Sequence, residues 1–115
     1  MPEKSRSLEE ARHEISSLTL ALVGLVNNRA AAAREVGAAK AAGGAELIRD
    51  LGREQQVVDM AVEANEGPLS NSAVARIIQT VMNEASRMQS EEFGIPLGIP
   101  LDQGPGFGPN GVTQE

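Results

Sequence analysis

Arg29 and Lys40 stand eleven residues apart in a run without proline. On one helix their Cα atoms are about 16 Å apart along the axis, so long side chains reaching toward each other bracket a small dicarboxylate. Arg29 also interrupts an apolar stripe of Leu8, Ala11, Ile15, Leu18, Leu22 and Leu25, which continues as Ala32, Val36 and Ala39. A stripe of that spacing belongs to a helix packed along its length against other helices. Burying an unpaired charge in such a seam costs several kcal/mol, so Arg29 needs a partner. Three partners are open to it: water reached by its long stem, Glu54 in a buried ion pair, or an anionic ligand. The residues alone leave the ion pair and the ligand evenly balanced.

Other candidates are weaker singly. Arg12 lies seventeen residues before Arg29, about 25 Å along a straight helix, and so reaches the same ligand only from a second, antiparallel chain. Glu54 falls inside the apolar face of a second helical segment, and Gln89 on the edge of the apolar face of a third. Arg49 and Arg53 are expected in solvent. There is no Ser–His–Asp set, no Cys–His pair, no glycine-rich phosphate loop and no general base beside a nucleophile. Catalysis by this chain would rest on positioning and fixed electrostatics.

Composition narrows the classes. The 115 residues make one small domain with one modest core. Phe93 and Phe107 are the only aromatics, so the core is aliphatic and short of buried area, which favours oligomerisation. A net charge of −6 without a basic face argues against nucleic acid as a partner. The absence of cysteine removes thiolate chemistry, and the single His13 makes a metal site improbable. The polar start and the lack of a membrane-length apolar run imply a soluble, cytoplasmic chain with no membrane partner.

The elements that must hold these residues are helices. A first helix is expected over about 8–42, ended by Gly43-Gly44, with Lys40 suited to its C-terminal dipole. Gly24 and Gly37 inside it mark places where another backbone comes close. A second helix runs from Glu46 or Asp50 to Asn65, with Leu47, Leu51, Val57, Val58, Ala61 and Val62 on its inner side. Gly67-Pro68 breaks the chain and Ser70 caps a third helix from Asn71 to about Glu92. That helix is expected to bury Val74, Ile77, Ile78, Val81, Met82, Ala85 and Met88. The helical domain therefore covers 1–92. Residues 93–115 are a Gly/Pro-rich tail with a tandem Gly-Ile-Pro-Leu repeat, expected as a mobile end or as a segment docked on a partner through Ile95, Leu97, Ile99 and Leu101.

Taken in order, Arg12-His-Glu-Ile15, Leu18, Leu22, Leu25, Arg29 and Glu35-Val36-Gly37-Ala-Ala-Lys40 resemble the first helix of the all-α chorismate mutases. Ile48-Arg49-Asp50-Leu-Gly-Arg53-Glu54 resembles the start of that family's second helix, and Gly67-Pro68-Leu69-Ser70 with the helix ending in Gln89 resembles its third. The resemblance covers about 8–92. It implies an all-α fold of three helices per chain, the long first helices intertwined in a homodimer with two sites. It implies cofactor-free, metal-free Claisen rearrangement of chorismate to prephenate, a step of phenylalanine and tyrosine biosynthesis. Arg29 and the partner's Arg12 would hold the substrate carboxylates. Lys40 would contact a carboxylate and the ether oxygen, Gln89 would donate to that oxygen, and Glu54 with Asp50 would hold the ring hydroxyl.

The chain departs from the family pattern at Thr19, where an Asp is common, at Gly52, and at Ala85, where many relatives carry Ser or Thr. At Ala85 a hydrogen bond to a substrate carboxylate is missing, or is replaced by backbone or water. Two alternatives accompany the mutase. One is a sister activity on the same scaffold, isochorismate-pyruvate lyase or aminodeoxychorismate mutase. The other is a non-catalytic domain that binds a shikimate-pathway metabolite and regulates a partner synthase through the tail. A purely structural helical dimer, with Arg29 and Glu54 paired, is the reading without a ligand.

Overall fold

The computed structural model describes residues 6–107, which form three helices and no strand: α1 Leu8–Ala42, α2 Leu51–Ala64 and α3 Asn71–Phe93. The chain is all-α, as its periodicity implies. Each boundary has a local cause. Ser7 and Glu10 form a reciprocal capping box at the start of α1, the Ser7 hydroxyl accepting from the Glu10 N–H and the Glu10 carboxylate accepting from the Ser7 N–H. The other end of α1 closes on Gly44 at φ +75°, which brings the Ala45 N–H to the Lys40 carbonyl at 2.9 Å. Asp50 caps α2 through the Arg53 N–H and Ser70 caps α3 through the Ala73 N–H. Of the two starts considered for α2, Asp50 is the correct one. Gly94, left-handed at φ +67°, stops α3.

The chain divides into two compact units, residues 1–32 and 33–115. In the first unit, α1 exposes its apolar stripe: Ile15, Leu18, Leu22 and Leu25 are all more than half exposed. The seam expected to be the driest is wet in the single chain.

The second unit comprises the last turns of α1, then α2, α3 and the following segment. Its apolar core is small: Ile48, Val58, Met82 and Ile95. Arg34 at the end of α1 grips Glu92 of α3 with three hydrogen bonds of 2.8–3.0 Å. That hydrogen bond and the carboxylate's charge hold the Arg34 guanidinium above its ordinary pKa.

α3 is turned relative to the face its sequence suggests. Gln79, Met82, Asn83, Ser86 and Gln89 are buried, whereas Ile77 is exposed and Val74, Ile78, Val81, Ala85 and Met88 are half-buried. The reason lies in what covers the helix. Residues 94–107, expected as a mobile end or a partner-docking tail, lie along their own chain. The Ile48 and Arg49 N–H groups donate to the Pro96 and Leu97 carbonyls, and the Asn83 amide donates to the Leu101 carbonyl at 3.0 Å. An irregular, proline-rich backbone presents polar groups that need partners, and a polar helix face supplies them. Residues 108–115, the rest of the expected tail, lie outside the described residues.

Candidate functional site

The buried polar side chains of the second unit fall into two clusters along the inner face of α3, one toward its C-terminal end and one at its middle. The first is at the contact between α1 and α3. Gly37 is the buried residue of α1, and a methyl there would lie 2.8 Å from the Phe93 ring and 3.0 Å from Gln89 Cγ. The missing Cβ is what lets α3 approach so closely. Gln89 is 5% exposed and its amide donates to the Ala33 carbonyl at 2.5 Å. One turn beyond Gly37, half-buried Lys40 turns its ammonium onto the Ile48 carbonyl at 2.5 Å. Beside Gly37 the Lys40 ammonium and the neutral Gln89 amide thus each keep spare N–H donors. Ala85, one turn before Gln89, is half-buried and contributes no polar group.

The second cluster surrounds Glu54. Arg49, expected in solvent, is 6% exposed and makes a forked pair with Glu54, at 2.9 Å from Nε and 2.6 Å from Nη2. Its remaining nitrogen donates to the Ile99 and Pro100 carbonyls. Arg49 is buried rather than solvated because the Ile99 and Pro100 carbonyls and the Glu54 carboxylate replace the hydration that the guanidinium loses. Gln79, fully buried, donates to Glu54 Oε1 at 3.0 Å and to Asn83 Oδ1 at 3.1 Å, and accepts the Gly106 N–H at 2.9 Å. Glu54 therefore has Arg49 as its ion-pair partner. Arg53 is exposed, as expected, and reaches only Gln56. Asp50 is exposed, and one oxygen of its carboxylate, Oδ1, caps α2.

Arg29 and Arg12, in the first unit, are both exposed on α1 and form no ion pair among the described residues. An open depression on the first turns of α1, lined by Arg6, Glu9, Arg12, His13 and Ser16, is walled by one helix alone. The described residues hold no group of three or more His, Cys, Asp or Glu arranged for a metal ion. Among them no helix is long and apolar enough to cross a membrane.

Sequence reasoning missed Arg49, Gln79 and Asn83. A signal was available: Gln79, Asn83, Ser86 and Gln89 recur at spacings of four and three, a polar stripe at helical period.

The arrangement offers cationic and amide donors to an anionic ligand, and the described residues hold no nucleophile paired with a base. No curated protein and no solved structure matches this chain. The family model for chorismate mutase type II, in contrast, matches residues 11–90, more than two thirds of the sequence. That span takes in all of α2, α1 except its first three residues and α3 except its last three, and every candidate residue named above from Arg12 to Gln89. The chain belongs to the type II chorismate mutase family.

Proposed function

We infer that the chain catalyses the rearrangement of chorismate to prephenate, without cofactor or covalent intermediate. The observation that carries this is the family match over 11–90, which includes half-buried Lys40 and buried Gln89 beside the Gly37 contact. In the reaction the ether C–O bond breaks as a C–C bond forms, and no proton is transferred. The demands on a protein are to hold the folded conformer, with the enolpyruvyl group over the ring, and to stabilise charge on the ether oxygen.

Lys40 and Gln89 are the donors toward that oxygen, and Lys40 also meets a carboxylate. Arg29 and the partner's Arg12 bind the carboxylates, and Glu54 holds the ring hydroxyl with help from Asp50. The chain works as a homodimer in this reading. Support comes from the exposed stripe of Ile15, Leu18, Leu22 and Leu25, whose burial in a second copy is worth roughly 25 cal/mol for each Å² of apolar surface. The activity serves phenylalanine and tyrosine synthesis.

The test is to incubate the purified chain with chorismate and follow its loss of absorbance, with Arg29→Ala as control. Prephenate formation that the substitution abolishes is the expected outcome. Saturable chorismate binding without turnover would instead support a regulatory domain, and neither turnover nor binding would refute the assignment. The shared site has its own test. Mixed Arg12→Ala and Arg29→Ala chains, each inactive alone, regain activity when subunits exchange; exchange without regained activity refutes it.

A further inference from the structure

The segment 94–107 is not part of the chemistry proposed so far, yet it touches both residues that hold Glu54. Its carbonyls at Ile99 and Pro100 accept from Arg49, whose other nitrogens fork onto the carboxylate. Its N–H at Gly106 donates to Gln79 Oε1, which fixes the amide so that its nitrogen faces Glu54 Oε1. Its carbonyl at Leu101 holds Asn83, and Asn83 in turn accepts from the same Gln79 nitrogen. Among the described residues both side chains that donate to the Glu54 carboxylate are thus oriented by the backbone of this segment.

The fit is close enough to depend on glycine. A methyl at Gly106 would lie 2.6 Å from Gln79 Cβ and 2.7 Å from the Ala75 carbonyl oxygen, and one at Gly104 would lie 2.8 Å from Arg49 Nη2. At Gly98 the backbone is left-handed, at φ +93°, and packs against Leu47.

We propose that residues 99–106 form a strap that sets the orientation of the Glu54 carboxylate, with Arg49 and Gln79 as its two positioning residues. The inference rests on the reading of Glu54 as the group that holds the substrate's ring hydroxyl. Two backbone routes converge on one carboxylate. A free carboxylate at the end of a three-torsion side chain would sample several rotamers, and the forked guanidinium and the amide together leave it one. The strap acts on binding of the substrate, not on the donors at the ether oxygen, Lys40 and Gln89, neither of which it touches through a hydrogen bond among the described residues.

The experiment is a double-mutant cycle in the full chain, with chorismate turnover as the readout. Gly106→Ala lifts the strap by steric exclusion, and Asn83→Ala removes its anchor to Leu101 without adding bulk. Both variants are checked for unchanged helical circular dichroism. Each is expected to raise KM about tenfold while kcat changes less than about threefold, because a contact made equally in ground and transition states is weakened. In a Glu54→Gln background neither substitution is expected to raise KM further, since the group they act through is already altered.

A KM that rises by the same factor with and without Glu54 overturns the strap, because a merely structural role would give that additivity. So does an unchanged KM in both variants. A variant that loses its helical signal is replaced by the other, and Arg49→Lys, which cannot fork, serves as a third route to the same readout. A wild-type chain that neither binds nor converts chorismate overturns the activity assignment and the proposal with it, whereas an active wild type with additive variants overturns the proposal alone.

Discussion

Replacing Arg49 by methionine removes the cation from the buried pair while keeping much of the volume of its stem. The guanidinium is fully buried and the Glu54 side chain is 8% exposed, so the carboxylate left behind cannot regain water. It would keep one donor, Gln79, and the carbonyls of Ile99 and Pro100 would lose theirs. Removing one member of a buried pair costs about 3–5 kcal/mol, mostly because the remaining charge is uncompensated. With an unfolding entropy of about 2.1 cal/mol/K per residue, a chain of 115 residues loses roughly 12–20 °C in Tm for that energy. Far-UV circular dichroism follows the melt, since the fold is helical. Adding Glu54→Gln should recover at least half of the loss, because the orphaned charge goes while the acceptor for Gln79 stays. A loss below about 1 kcal/mol for Arg49→Met, the value of an exposed pair, would refute the account of Arg49 as a buried ion held by the tail.

Three further outcomes follow from the geometry. Gly37→Ala gains about 1 kcal/mol of helix propensity but forces a methyl against Phe93 and Gln89, an overpacking worth about 1–3 kcal/mol, so it should lower Tm in the same melt. Gly24→Ala meets nothing within 4 Å and should raise stability by about 1 kcal/mol; a fall instead would mean that something covers that side of α1. Gln89 is a neutral amide, so kcat/KM measured against pH should show no steep rise below about pH 5, and such a rise would remove Gln89 from its assigned role.

The helices could be read from the sequence because their ends are marked by residues with local jobs. Gly43-Gly44 closes α1, Asp50 and Ser70 cap the next two, and none of these depends on distant parts of the chain. The α1–α3 contact was half visible, through Gly37, Lys40 and Gln89 in the order the family uses. Arg49 was not, because beside Asp50 at a helix start it has the appearance of a solvated end charge. Its burial depends on carbonyls fifty residues later, and a carbonyl carries no side-chain signature. The turn of α3 escaped for the same reason. Hydrophobic periodicity ranks faces by side-chain polarity, whereas this face is covered by backbone, which prefers Gln and Asn to Ile and Val. The proline and glycine content of residues 94–107 excludes helix and strand correctly, but lack of regular structure is not lack of order.

Arg49 and the Pro100 carbonyl that receives it are separated by 51 residues. A ribosome adding roughly 5–20 residues per second needs about 3–10 s to cover that interval. When α3 has just been made, the Arg49–Glu54 pair still lacks the Ile99 and Pro100 carbonyls, and the amides of α3 still lack the backbone that covers them. The helical hairpin is therefore complete as secondary structure well before it is complete as an electrostatic environment. The segment made after all three helices is the part that dries the charges between them.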